Sequence, residues 1–386
     1  MVKESDLTDA QKNAINIAFE HYGEGRNTVI AGYAGTGKST LVKFLIKKIV
    51  DYYGLKDSDI TYAAFTGKAS QVLTNKGCPA LTLHKLMYDC HTDRYGDIVF
   101  ELKESLPYRL IIVDECSMPP SDMVSDLEEF GIPIVYLGDP GQLPPIQKDF
   151  DNHLLDHPDV FLTEVLRQAL DSPIIRLSMK IRNGEPIDDF NFEEAKVISK
   201  KDLSLEELRN ADMILVGTNN MRKTMNKAMR SLLGKKGLID NDEKIICTNN
   251  YWEHTGIEKS LTNGTVGILK NHMSNYVSMP KLPKVAVIQG DFISETGLKK
   301  YVKLDQRFLE SEESSLTIAQ KMKAKGKSDL PKEFTYAYAI TGHKAQGSEW
   351  DNVIVFEENF PTGEEHKKWL YTCVTRAKKK VILVRG

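Results

Sequence analysis

Short apolar runs alternate with amphipathic stretches along most of the chain. Ala10, Ala14, Ile15, Ile17, Ala18 and Phe19 recur at helical spacing behind Thr8 or Asp9, either of which suits an N-cap, so residues 8–22 predict an opening helix. Strand-like runs follow at Asn27–Ala31, Ile60–Phe65, Leu110–Val113 and Ile134–Leu137, with helix-like Ser39–Tyr53 and Lys68–Asn75 between them. Short apolar strands separated by helices predict a parallel sheet covered on both faces.

Two segments break this rhythm. Tyr88–Asp97 is polar, Tyr95-Gly96-Asp97 signals a turn, and Ile98-Val99-Phe100 alternates into Glu101-Leu102, which predicts a small inserted hairpin. The α/β pattern returns with strand Met213–Val216 and helix Asn220–Leu233, then strands Glu243–Thr248 and Thr265–Lys270 on either side of the turn Asn263-Gly264. From residue 271 to about 332 the texture changes again. Val285–Gln289 and Tyr301–Leu304 read as short strands and Glu310–Lys327 as a highly charged helix, together a small inserted β domain. Thr335–Ile340, Asn352–Phe356 and Val381–Val384 resume the parallel pattern.

At 386 residues the chain exceeds what one hydrophobic core usually fills, so two or more domains are expected. A net charge of −3 neither signals nor excludes a nucleic-acid partner, because a narrow basic groove on a neutral body gives the same sum. Cys78, Cys90, Cys116, Cys247 and Cys373 are scattered and form no C-x-x-C pair, which suits free thiols in a reducing compartment. Cys78, His84, Cys90 and His91 lie close together, but their spacing fits no common zinc pattern. The charged first residues lack the apolar core of a signal peptide, and no apolar run approaches a membrane span. A cytoplasmic protein with no membrane partner is expected.

The chemistry begins at Gly32-Tyr-Ala-Gly-Thr-Gly-Lys-Ser39, a G-x-x-x-x-G-K-[ST] sequence between an apolar strand and a helix. Gly35 and Gly37 let the backbone curl so that its N–H groups point at phosphate, and the helix N-terminus adds partial positive charge. Lys38 suits the β- and γ-phosphates of ATP and the Ser39 hydroxyl suits Mg²⁺, with Thr36 and Thr40 as flanking nucleotide contacts. Leu110-Ile-Ile-Val-Asp-Glu115 supplies hydrolysis: Asp114 at the strand end holds the Mg²⁺, and Glu115 orients or deprotonates the attacking water.

Further motifs appear in order, and together they resemble superfamily 1B helicases, the RecD-like and Pif-like branch that includes the small phage Dda helicases. Gln11 is similar to that family's adenine-reading glutamine. Phe65-Thr-Gly-Lys-Ala69 resembles motif Ia and Thr82-Leu-His-Lys85 motif Ib, which implies that Thr66, Lys68 and His84 line a single-strand track. Leu137-Gly-Asp-Pro-Gly-Gln-Leu-Pro-Pro145 resembles motif III, with Gln142 as γ-phosphate sensor. Leu162-Thr-Glu-Val-Leu-Arg-Gln168 resembles motif IV and places Arg167 at the γ-phosphate. Thr341–Glu349 resembles motif V, with His343 on nucleic acid, Gly347 on the nucleotide side and Gln346 linking the two. Tyr371-Thr-Cys-Val-Thr-Arg-Ala377 resembles motif VI, with Arg376 as arginine finger.

The resemblance implies two RecA-like P-loop domains, the first at 1–86 and 107–185, the second at 186–270 and 334–386. The hairpin at 87–106 takes the place of the family's strand-separating pin, with Phe100 as candidate wedge, and 271–333 that of an SH3-like domain. The implied activity is ATP-dependent 5′→3′ movement on single-stranded DNA with duplex separation, by a monomer acting at duplex junctions in replication or repair. Single-strand-binding or replication proteins are the expected partners. The alternative is a nucleotide-switched DNA-binding or remodelling protein that does not unwind.

Overall fold

The computed structural model describes residues 6–92, 98–144, 152–251, 260–279, 282–295, 297–323 and 330–386. The chain divides into two compact units, one of Met1–Met87, Leu102–Leu203 and Ala345–Gly386, the other of Tyr88–Glu101 and Ser204–Lys344.

The first stretch runs α1 (Asp9–Gly23), β1 (Thr28–Gly32), α2 (Lys38–Tyr53), β2 (Ile60–Ala64), α3 (Gly67–Asn75), β3 (Ala80–Thr82) and α4 (Leu83–Met87). The inserted β4 (Tyr88–Thr92) and β5 (Ile98–Leu102) pair as a two-stranded sheet, while the turn Tyr95-Gly96-Asp97 lies outside the described residues. Then come β6 (Leu110–Asp114), α5 (Ser121–Glu128), β7 (Ile134–Gly138), β8 (Val160–Leu162), α6 (Arg167–Leu170), α7 (Pro173–Asn183) and β9 (Ala195–Ser199).

Six of these strands form one parallel sheet in the order β3-β2-β6-β7-β1-β8. β1 and β6 are therefore interior strands, separated by β7. Ile30, Leu110, Ile112, Val135 and Leu137 join Ala14, Ile15 and Ala18 of α1 and Leu41, Leu45 and Ile49 of α2 in one core. Ile111 and Val113 of β6, on the opposite face, are also buried, which explains why that strand reads as a continuous apolar run.

The second unit holds α8 (Leu205–Asn210), β10 (Met213–Val216), α9 (Asn219–Leu232), β11 (Glu243–Cys247), β12 (Val266–Val277), β13 (Val285–Ser294), β14 (Lys299–Asp305), α10 (Gln306–Ser311), α11 (Ile318–Lys323), β15 (Phe334–Tyr336) and β16 (Ala339–Thr341). β10 and β16 pair in parallel, and a five-stranded sheet runs β14-β13-β12-β11-β15 around Ile245, Ile288, Phe292, Leu304 and Phe334. The chain closes with β17 (Trp350–Phe356), α12 (Glu364–Val374) and β18 (Ala377–Arg385), where β18 lies parallel between β17 and β9 in the first unit.

Three sequence expectations differ from this structure. The strand expected to stop at Lys270 continues to Val277, because Asn271 takes a left-handed φ of 50° and the register shifts between Lys270 and Met273, a bulge that carries the strand past its polar interruption. The charged helix expected over 310–327 is two short helices. Glu312 ends α10 with a φ of 62°, and Asp305 accepts both the Ser315 N–H at 2.8 Å and its hydroxyl at 2.5 Å, which folds the chain back. Residues 324–327 of that stretch lie outside the described residues. The strand expected over Thr335–Ile340 splits into β15 and β16. Buried Asn226 of α9 sits at the break and accepts the N–H groups of Tyr338 at 2.9 Å and Ala339 at 3.0 Å.

Candidate active site

β1 ends at Gly32 and the chain curls into α2. Gly35 and Gly37 adopt φ of 80° and 79°, the left-handed region. A Cβ on Gly37 would lie 2.5 Å from Gln11 Nε2 and 2.7 Å from Leu166 Cδ1, so neither the conformation nor the space admits a side chain. Lys38 Nζ donates to the carbonyls of Gly32 at 2.5 Å and Tyr33 at 3.2 Å, which sets its ammonium inside the curl. α2 has no side-chain cap, so its first N–H groups suit an anion, with Ser39 and Thr40 on the first turn. This cradle fits a polyphosphate.

Gln11 is 2% exposed. Its Nε2 donates to the Thr36 carbonyl at 3.0 Å and its Oε1 accepts the Thr8 N–H at 3.0 Å, completing the capping box of α1. One side chain therefore joins the opening helix to the phosphate loop.

Asp114 ends β6, and its Oδ1 accepts the Glu115 N–H at 2.9 Å. Burial pushes the Asp114 carboxyl up and Lys38 pulls it down. Glu115 has a φ of 52°, a left-handed conformation that costs a non-glycine residue about 1–3 kcal/mol and is kept where the surroundings fix it. Burial raises its carboxyl as well, with Arg376 the strongest opposing influence. Among the described residues no group of three or more His, Cys, Asp or Glu side chains could hold a metal. One carboxylate and one hydroxyl, from Asp114 and Ser39, still fit Mg²⁺, which takes hard oxygen ligands and is commonly shared with substrate phosphates.

After β7 the loop carrying Gln142 is fastened at several points. Asp139 is buried; its Oδ1 accepts the Gly141 N–H at 2.9 Å and its Oδ2 accepts the Tyr371 hydroxyl at 2.8 Å. The same Tyr371 oxygen accepts the Ala34 N–H of the phosphate loop at 2.7 Å. Leu143 donates its N–H to Thr372 Oγ1 at 2.8 Å and receives Gln346 Nε2 on its carbonyl at 2.5 Å. Arg376 is 5% exposed; it donates to the Thr372 carbonyl at 3.0 Å, and its Nη1 lies 3.9 Å from Glu115 Oε1. Arg167 opens α6 and is exposed, while the preceding Leu166 N–H bonds the Gly35 carbonyl at 3.0 Å.

The structure thus brings Gln11, Lys38, Asp114, Glu115, Gln142 and Arg376 into one unit, with Arg167 beside the phosphate loop. Asp139, Tyr371 and Thr372 stand inside the sequence motifs, where spacing alone assigns them no role. The signal for them is only their place beside Gln142 and Arg376.

The residues expected on a nucleic-acid track separate. Thr66 caps α3, accepting the Ala69 N–H at 3.2 Å, and Lys68 Nζ sits 4.0 Å from the centre of the Trp350 ring. Gly347, with φ 68°, packs where a Cβ would meet Ala69 Cβ at 3.1 Å and Thr66 Oγ1 at 3.2 Å, so it lies against the start of α3. His84 lies in α4 with its ring 6.2 Å from Phe65, and burial lowers its pKa. His343 and Phe100 belong to the other unit, where Phe100 meets Tyr88 edge-on at 6.1 Å.

Comparison with known proteins decides the family. Residues 6–199 match the AAA domain, and residues 336–384 match the UvrD-like helicase C-terminal domain. The chain belongs to the AAA-domain family. It is also a superfamily 1B member. It is 33% identical over 195 residues to the ATP-dependent DNA helicase dda of Enterobacteria phage T4, covering 47% of this chain and 43% of that protein. It is 27% identical over 370 residues to the ATP-dependent RecD2 DNA helicase of Deinococcus radiodurans, covering 92% of this chain and 46% of that one. The chain spans less than half the length of either relative.

In fold, this superfamily 1B chain is similar to Bacteroides Pif1 helicase in complex with ADP-AlF3 and ssDNA, with TM-score 0.54 at 18% identity over 99% of this chain and 92% of that one. The fold class is two RecA-like parallel-sheet α/β domains. No helix among the described residues is long and apolar enough to cross a membrane.

Proposed function

We propose that this chain is an ATP-hydrolysing motor that moves 5′→3′ on single-stranded DNA and separates duplex ahead of it. The observation that carries this reading is the placing of Arg376 beside Glu115 in the unit that holds Lys38. A nucleotide-binding module alone needs the loop; a hydrolase also needs a base and a transition-state cation. Gln11 selects adenine, Lys38 binds the β- and γ-phosphates, and Gly35, Thr36, Gly37 and Thr40 shape the loop. Ser39 and Asp114 hold Mg²⁺, which neutralises phosphate charge when bound. Glu115 takes the proton of the attacking water. Gln142, Arg167 and Arg376 meet the γ-phosphate, and Gly347 lies on the nucleotide side.

Thr66, Lys68, His84 and His343 contact the DNA backbone, and Phe100 on β5 parts the duplex. The domain boundaries, the SH3-like character of the antiparallel sheet, a monomeric cytoplasmic state and single-strand-binding or replication partners belong to the same proposal. Strand displacement on duplexes with a 5′ or a 3′ single-stranded tail tests it. Unwinding from the 5′ tail alone is expected. Unwinding from the 3′ tail alone overturns the direction, and ATP hydrolysis that single-stranded DNA does not stimulate overturns the motor.

A further inference from the structure

We infer that the Tyr371 hydroxyl is a positioning group that couples the shape of the phosphate loop to the loop bearing Gln142. This rests on the motor reading above. The hydroxyl has one hydrogen to donate, and it goes to Asp139 Oδ2 at 2.8 Å. Its oxygen accepts the Ala34 N–H at 2.7 Å. A single atom is therefore shared between the loop that holds phosphate and the carboxylate that folds the next loop. Asp139 passes the constraint on, because its second oxygen fixes the Gly141 N–H at 2.9 Å, one residue before Gln142.

The ring is fitted as closely as the hydroxyl. A Cβ on Gly141 would lie 3.0 Å from Tyr371 Cε1 and 3.2 Å from Tyr33 Cδ1, so the glycine is what lets the phenol reach between the two loops. Thr372 Oγ1 and Gln346 Nε2 grip Leu143 from the same C-terminal segment. A displacement of the Ala34 backbone therefore moves a group bonded to the Gln142 loop, with only the Tyr371 and Asp139 side chains between the two backbones. Two hydrogen bonds on one atom, one buried and one part-buried, give this link a definite geometry rather than a diffuse one.

Tyr371→Phe removes the hydroxyl and keeps the ring, and Asp139→Asn weakens the same bond from its other end. ATPase is measured for both variants, the double variant and the parent protein, with and without single-stranded DNA. The expected result is a fall of about tenfold in the stimulation ratio of Tyr371→Phe, with the double variant no worse than the poorer single one. Equal losses with and without DNA, leaving the ratio intact, would reduce Tyr371 to a structural residue and overturn the inference, as would losses that multiply in the double variant. If Tyr371→Phe fails to fold, Gly141→Ala, which pushes on the same ring, supplies the ratio instead. A parent protein without stimulation defeats the motor reading itself, which is a separate outcome.

Discussion

Arg376 Nη1 lies 3.9 Å from Glu115 Oε1 and donates to the Ser348 carbonyl at 3.4 Å, while Nε donates to the Thr372 carbonyl and Nη2 to Thr375 Oγ1. The arginine is thus anchored by the end of α12 and by Ser348, and Nη1 faces the carboxylate at a distance too long for a hydrogen bond. Glu115 is in turn held by backbone geometry, with φ 52° straight after β6. Glu115→Gln keeps this shape and removes the base. Turnover should fall by about 100-fold or more while nucleotide binding persists. Single-turnover hydrolysis beside a fluorescent-nucleotide binding titration checks both halves, and loss of binding would mean that Glu115 supports the loop instead.

Arg376→Lys keeps the charge and loses the fork. Three acceptors are arranged for a planar guanidinium, and one ammonium cannot satisfy them in the same directions. ATPase should fall by about 1,000-fold, the lower end of what arginine fingers contribute. A loss below tenfold in steady-state ATPase would show that charge alone suffices here.

Much of this site is legible in the sequence because its parts are local. A strand, a glycine-rich turn and a helix start carry Lys38, and one apolar run sets Asp114 and Glu115 at a strand end. The parallel sheet follows from the same alternation, although β3, β8 and β9 are too short or too mixed to stand out. Tyr371 is different. Its partners are 337 and 232 residues away, and nothing in the spacing of a tyrosine on a helix records which backbone N–H it will meet. Gln11 shows a third case: its motif position was readable, but its double role as cap partner and loop tie needed the fold.

Gln11→Ala separates those roles. Loss of the capping-box partner should lower stability by about 0.5–2 kcal/mol, read as a drop in the urea midpoint. Loss of the amide near the nucleotide should bring the apparent affinities for ATP and GTP together. Equal weakening of both nucleotides would leave only the tie to the Thr36 carbonyl.

His84 predicts a pH dependence. Burial lowers its pKa, so the folded state binds a proton less readily than the unfolded chain, whose histidine titrates near 6.5. Its contribution to stability is fully present above that value and is lost as pH falls through the lower folded pKa. Urea midpoints should therefore drop on acidification more steeply in the parent protein than in His84→Gln. Parallel curves would show that the ring titrates as it does in the unfolded chain. At neutral pH the ring is uncharged, so His84→Gln should also leave the salt dependence of DNA binding nearly unchanged.

Phe100 offers the sharpest division between moving and unwinding. It stands on β5, part-buried, with Tyr88 of β4 meeting its ring edge-on at 6.1 Å, so the pair braces a hairpin of only two strands. An aromatic at such a place can stack on a terminal base pair, a contact of about 1–3 kcal/mol per base. Phe100→Ala removes the stacking surface while leaving the phosphate loop, Glu115 and Arg376 untouched. Unwinding of a tailed duplex should fall at least about tenfold, with single-stranded-DNA-stimulated ATPase within about twofold of the parent. Tyr88→Ala weakens the brace without removing the wedge and should give a smaller loss. If both substitutions lower ATPase and unwinding in proportion, the ring packs the hairpin and the wedge lies elsewhere. If neither changes unwinding, the hairpin takes no part in strand separation.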